Sequence, residues 1–155
     1  MEMAITLIRY LAGHGVAYDR ITHRHTDSSI NSAHAAHIPD EKLAKPVILK
    51  DQEGYLMAVI PANSHVMVGR VNRLLHRNMG LATEAELGRL FADCEPGAVP
   101  PFGQAYGLET IIDNSLNQCQ AIYCEAGNHL ELIQVKGTDF RRLMRRQPHA
   151  ALCMH

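Results

Sequence analysis

Residues Asp93–Gly107 read Asp-Cys-Glu-Pro-Gly-Ala-Val-Pro-Pro-Phe-Gly-Gln-Ala-Tyr-Gly and hold three of the chain's seven prolines and three of its eleven glycines. An ordinary connecting loop is rich in Ser, Asn and Asp; the middle of this one is apolar. The prolines fix φ around Gly97, a residue free to take backbone angles closed to others. Pro100-Pro101 keeps the chain extended ahead of Phe102-Gly103. These constraints predict a stiff, exposed loop whose N–H and C=O groups have definite directions. Such a loop either recognises a small polar group with backbone atoms or is a rigid crossover from helix to strand.

Around the loop the chain switches between helical and strand periodicity. Residues 2–12 put Ala4, Leu7, Ile8 and Leu11 on one helical face, and Gly13 and Gly15 end that helix. Val16–His23 reads as a short strand. Thr26-Asp27-Ser28-Ser29 offers N-caps for an alanine-rich helix over Ile30–His37, stopped by Ile38-Pro39. Leu43–Lys50 and Tyr55–Pro61 are near-continuous apolar runs about the polar turn Asp51–Gly54, the pattern of a buried hairpin. Helices follow at Arg70–Arg77 and at Thr83–Phe91, the second capped by Thr83. Beyond the loop come a strand at Leu108–Ile112, a hairpin from Ala121–Cys124 and Leu130–Val135, and a helix from Thr138 or Asp139 to about Arg146. The expected fold is one α+β domain over residues 1–146, with a mostly antiparallel, curled sheet. Residues 147–155 read as a loose C-terminal tail.

Composition narrows the function classes. A net charge of −1 and a pI near 6.8 are unlike a free-standing nucleic-acid binder, whose domain pI usually exceeds about 9. RNA contact would need a local patch. Two basic runs qualify: Arg70, Arg73 and Arg77 at helical spacing, and Arg141, Arg142, Arg145 and Arg146. Glu84, Glu86, Asp93 and Glu95 restrict any phosphate footprint. Cys94, Cys119, Cys124 and Cys153 form no Cys-x-x-Cys pair and read as reduced thiols of a reducing compartment. The N-terminus lacks the signature of a signal peptide, and no run approaches the ~20 apolar residues of a membrane span. A cytoplasmic protein without membrane attachment is expected. Ten histidines include His23-x-His25 and the pair His34 and His37. They come with no His-Glu-x-x-His and no carboxylate at matching spacing, so neither a metal nor a cofactor is expected.

Several motifs occur in a specific order. An alanine-rich helix precedes Ala44-Lys45, and Val59-Ile60-Pro61 ends the next strand. Leu81-Ala82-Thr83-Glu84-Ala85-Glu86 stands ahead of Cys94-Glu95-Pro96-Gly97, and Gly127-Asn128-His129 sits in the second hairpin. From about Thr26 to Leu143 the chain resembles the YbaK-type aminoacyl-tRNA deacylases, which include the editing insertion domain of bacterial prolyl-tRNA synthetases. The resemblance implies a curved, barrel-like, mostly antiparallel mixed sheet surrounded by helices, and hydrolysis of the ester of mischarged tRNA. It also implies that Lys45 is the family lysine and that Gly97 with Pro101 is its Gly-x-x-x-Pro signature. Pro46 departs from the small or polar residue that follows the lysine in many relatives.

An aminoacyl ester is already activated, so its hydrolysis needs positioning and oxyanion stabilisation more than a strong nucleophile. Backbone dipoles of Gly97–Pro101 can meet the ester, and Lys45 can meet a phosphate or the developing oxyanion. Ser64 and His65 adjoin on a strand end and point to opposite sides, which argues against a Ser/His pair. His65 and His129 either line the pocket and orient water or are ordinary turn histidines. Asp113 either holds the loop or an amino group, or caps the following turn. Met57, Val59 and Phe102 suggest an apolar wall, completed by Ala98, Val99, Pro100 and Gly103. Arg70, Arg73 and Arg77 are candidates for the acceptor stem. The partners expected are mischarged tRNA and an aminoacyl-tRNA synthetase. A non-catalytic module of the same fold that binds tRNA or a synthetase is the competing reading.

Overall fold

The computed structural model describes residues 2–154. Five helices, α1 (Ile5–Gly13), α2 (Ser29–Ala35), α3 (Val68–Leu75), α4 (Glu84–Leu90) and α5 (Gly137–Leu143), surround the sheet strands. The strands are β1 (Asp19–Thr22), β2 (Leu43–Asp51), β3 (Gly54–Pro61), β4 (His65–Val66), β5 (Gly80–Leu81), β6 (Glu109–Asp113), β7 (Ala121–Glu125), β8 (Glu131–Lys136), β9 (His149–Ala150) and β10 (Cys153–Met154). The main sheet runs β1-β8-β7-β2-β3-β6-β9, with β5 added to β2. Its long ladders are the antiparallel hairpins β2–β3 and β7–β8 and the antiparallel pair β1–β8. Short parallel pairings join β2 to β7, β3 to β6 and β6 to β9. The architecture is therefore α+β with a large, mostly antiparallel mixed sheet, and that sheet is open rather than closed into a barrel.

The apolar run of β3 follows from its central place. Side chains alternate across a strand: Met57 and Val59 enter a cluster with Leu7, Leu11, Phe91, Phe102, Ile122 and Phe140. Leu56, Ala58 and Ile60 enter a second cluster with Val71, Ile111 and Leu152 on the other face. A strand covered on both faces has no reason to alternate in polarity. At α4 the local signal is complete. The Thr83 side chain accepts from the Glu86 N–H while the Glu86 side chain accepts from the Thr83 N–H, a capping box that satisfies two otherwise orphaned donors.

Three expectations change. Residues 147–154 are not a loose tail, because β9 pairs with β6 and β10 with β4. Leu152 is fully buried, and its N–H donates to Asp113 Oδ1 at 2.8 Å. The last helix starts at Gly137 behind Lys136, with no side-chain cap, and ends at Leu143. Finally, α3 ends at Leu75 because His76 turns left-handed at φ 54°. Arg77 thus lies beyond the helix that carries Arg70 and Arg73.

Candidate active site

Strand β2 changes neighbour along its length. On the side away from β3, β7 pairs with Leu43 and Ala44, and β5 pairs with Leu49 and Lys50. Between them the edge at residues 45–47 is left without a strand partner, Ile48 O still accepting from the Ala82 N–H at 3.0 Å, and a cleft of about 390 Å³ opens there. Pro46 fits this gap, since a proline without an N–H is tolerated where no ladder needs one. Pro46, Ile48, Leu81, Ala82, Leu87 and Val99 give the cleft apolar walls, and Lys45, Asp27, Ser28, Ser29, Glu84 and Gly97 add polar groups.

Lys45 is half-buried in this cleft, and burial lowers its pKa from the usual lysine value. Its Nζ donates to the carbonyl of Ser64 at 3.0 Å and reaches that of Ala62 at 3.5 Å. No carboxylate pairs with it among the described residues. Two carbonyls orient the ammonium without neutralising it, which leaves its charge to act on a bound anion.

The loop opposite is pinned from below. Glu95 N–H donates to Gly127 O at 2.8 Å, and Gly127 N–H returns a bond to Ala98 O at 2.9 Å. The Glu95 carboxylate accepts from the His129 N–H at 2.8 Å, and the His129 ring Nε2 is in short contact with the Pro96 carbonyl. Gly97 has φ +80°, and a Cβ there would lie 2.9 Å from Asp27 O and 3.3 Å from His129 Cε1. Only glycine can occupy that conformation in that space without strain. The N–H groups of Gly97 and Val99 have no acceptor among the described residues.

Behind this rim the loop is buried, not exposed throughout as the sequence predicted. Ala98, Pro100, Pro101, Phe102 and Gly103 are core residues. Phe102 packs its ring against Tyr10 and Phe140. Gly103 passes so close to Met57 and Thr110 that a Cβ would sit 2.5 Å from Thr110 Oγ1. Met57 itself is fully buried. These residues support the loop and do not line the cleft.

The remaining sequence candidates separate by place. His129 is buried behind Gly97, where it props the loop; its Nδ1 has no hydrogen-bond partner among the described residues. His65 is exposed on β4, next to the residue whose carbonyl holds Lys45. Asp113 accepts from Ser115 and from the Leu152 N–H, so it braces the chain end. Arg70 reaches Ala151 O at 3.3 Å, and Arg73 is exposed on α3. Arg77 is corrected as an RNA-contact residue. Its side chain is 9% exposed and holds Asp51 at 2.6 Å, Glu109 at 2.9 Å and Glu53 at 3.4 Å. Three carboxylates already neutralise it.

Sequence reasoning missed the floor of the cleft. Asp27–Ser29 read only as caps, a role Ser28 does perform by accepting from the Asn31 N–H, yet they also line the cavity. It also missed Glu125, which is fully buried on β7 and whose carboxyl is pushed up to about 8 by burial. The hydroxyls of Ser32 and Ser29 temper that shift without meeting either oxygen in hydrogen-bond geometry. Burial also raises all four thiols, Cys94 to about 12, so none supplies a thiolate near neutral pH. Among the described residues no group of three His, Cys, Asp or Glu side chains could hold a metal ion, and no helix is long and apolar enough to cross a membrane.

Comparison with solved structures shows how widely this fold is shared. The hypothetical protein APE2540 superposes with a TM-score of 0.84 at 16% identity, over 96% of this chain and 99% of that one. A candidate trans-editing enzyme for prolyl-tRNA synthetase matches with a TM-score of 0.80 at 18% identity, over 99% of this chain and all of that one. In a candidate signal transduction protein from Marinobacter aquaeolei VT8 the same fold (TM-score 0.81, 18% identity, 99% of this chain) makes up 31% of a longer chain. No curated protein sequence matches this one. The family model for aminoacyl-tRNA editing domains matches residues 23–143, which include Lys45, the Gly97 loop and the β7–β8 hairpin. The chain belongs to the aminoacyl-tRNA editing domain family.

Proposed function

We propose that the protein is a deacylase that hydrolyses, in trans, the ester of mischarged tRNA. The observation that carries this is the pairing, across one cleft, of Lys45 with Gly97. The ammonium has no carboxylate partner, and the left-handed glycine is flanked by N–H groups without acceptors. The N–H groups of Gly97 and Val99 receive the ester carbonyl oxygen and hold it as negative charge develops. The Lys45 ammonium stabilises that oxyanion or the adjacent phosphate. Ser64 is buried and the thiols are protonated, so water is the nucleophile. It adds to the carbonyl carbon, the ester C–O bond breaks, and the terminal ribose oxygen leaves with a proton as the free hydroxyl. The family match and the likeness to a candidate trans-editing enzyme support this reading.

The test is a deacylation panel over tRNAs charged with prolyl, alanyl, cysteinyl and seryl esters at micromolar protein. Hydrolysis of at least one ester well above the buffer rate is expected. Background rates with every ester would sink the deacylase reading and leave a module that only binds tRNA.

A further inference from the structure

A groove of about 990 Å³, larger than the Lys45 cleft, lies between α1 and the segment after α5. Arg9, His14, Arg142, Arg145 and Arg146 line it, and no Asp or Glu does. In a chain of net charge −1 this is a local concentration of positive charge. Arg142 is committed to the structure, since it donates to His14 O at 3.1 Å and to Asp139 at 3.3 Å. Arg9, Arg145 and Arg146 are exposed and have no carboxylate partner among the described residues.

The groove is tied to the cleft by the same loop. Val99 lines the cleft and Gln104 lines the groove, so five residues of chain separate them by at most about 18 Å. Along a stacked strand, which advances about 3.4 Å per nucleotide, that is roughly five nucleotides. The Thr6 N–H, on the groove side, also donates to Asp93 at 2.9 Å, which fixes α1 against the start of the loop. A polynucleotide with its esterified end in the cleft therefore has backbone phosphates within reach of the arginines.

We propose that this groove binds the sugar–phosphate backbone of the tRNA, with Arg9, Arg145 and Arg146 as its phosphate contacts. The inference rests on the deacylase reading for its choice of RNA, and two acidic residues of the loop stand beside the sites: Asp93 accepts from the N–H of the groove-lining Thr6, and Glu95 comes two residues before Gly97 of the cleft. Contact is accordingly made at two separate places rather than along a continuous basic track.

The experiment measures binding of labelled, uncharged tRNA to the full chain by fluorescence anisotropy across a salt series. The proteins compared are wild type, Arg9→Ala, the Arg145→Ala/Arg146→Ala double variant and Arg89→Ala, an exposed arginine outside the groove. The double variant is expected to weaken binding roughly tenfold and to lower the slope of log K against log salt by about 2. Arg9→Ala should lower that slope by about 1, and Arg89→Ala should match wild type. On mischarged tRNA the double variant should raise KM with kcat unchanged. Equal affinity and slope in wild type and groove variants overturns the proposal, as does wild-type protein that binds no tRNA. Loss of binding to anionic lipid vesicles with tRNA binding intact overturns it in favour of a membrane surface. Because uncharged tRNA needs no hydrolysis, arginine-dependent binding by a protein that cleaves no ester would keep this inference while removing the deacylase reading.

Discussion

Lys45 and Arg77 mark the two ends of one strand and show opposite fates for a cation. At the far end of β2, Asp51 takes two hydrogen bonds from Arg77, which hold its carboxyl down to about 2 and push the guanidinium above its usual value. Glu109 and Glu53 complete the clamp. At the near end, two carbonyls accept from Lys45 and no carboxylate among the described residues pairs with it, and burial pulls its pKa down. A cation surrounded by carboxylates ties turns together; one held by neutral dipoles keeps its charge for something else. Glu125 is a third case, with no cation among the described residues and only the Ser29 and Ser32 hydroxyls beside its buried carboxyl, and it responds by retaining its proton.

The largest expected effect is at the unneutralised end. Lys45→Ala should fold like wild type, yet lose tenfold to over a hundredfold in deacylation. That range follows from losing a charge-assisted contact of about 1.5–3 kcal/mol. A fully active Lys45→Ala would erase the contrast with Arg77. Opposite the lysine, Gly97→Ala must bring a methyl to 2.9 Å from Asp27 O at φ +80°. A drop in kcat/KM of at least ~10-fold is expected, with a stability cost of about 1 kcal/mol. Wild-type kinetics in that variant, or outright unfolding, would make the loop a structural crossover only.

Smaller effects probe the other two groups. Arg77→Ala should lower the melting temperature by about 5 °C while changing kcat/KM less than twofold, since the clamp lies away from the cleft. Intact stability with weakened tRNA binding would reverse the assignment of Arg77. For Glu125, the unfolded carboxyl ionises near its ordinary 4.5 while the folded one holds its proton to about 8. The folded state thus binds more protons between those values, and stability falls as pH rises through that window. Glu125→Gln should flatten the decline in melting temperature between pH 5 and 8 and melt above wild type at pH 8. Parallel pH profiles for the two proteins would show that Glu125 is ionised in the fold.

What the sequence determined by itself is what neighbours along the chain can specify. The two apolar runs of β2 and β3, the Thr83–Glu86 capping box and the left-handed Gly97 follow from periodicity, cap chemistry and Pro/Gly constraints acting over a few residues. The same locality explains why the order of motifs around Lys45, Gly97 and His129 identified the family. Only the tertiary structure decided which side of each element meets the cleft. The gap along β2 exists because its pairing with β7 stops at Ala44 and its pairing with β5 begins at Leu49, a fact of pairing between distant segments. Two-residue strands such as β5 and β9 carry almost no periodic signal, so Leu81 entered the cleft and residues 149–150 joined the sheet without notice. Arg77 looked like Arg73 in sequence because the carboxylates that neutralise it come from Asp51, Glu53 and Glu109. Pairing between groups far apart in the chain depends on the closed fold, and there it is the partners, more than the residue type, that set what a charge can do.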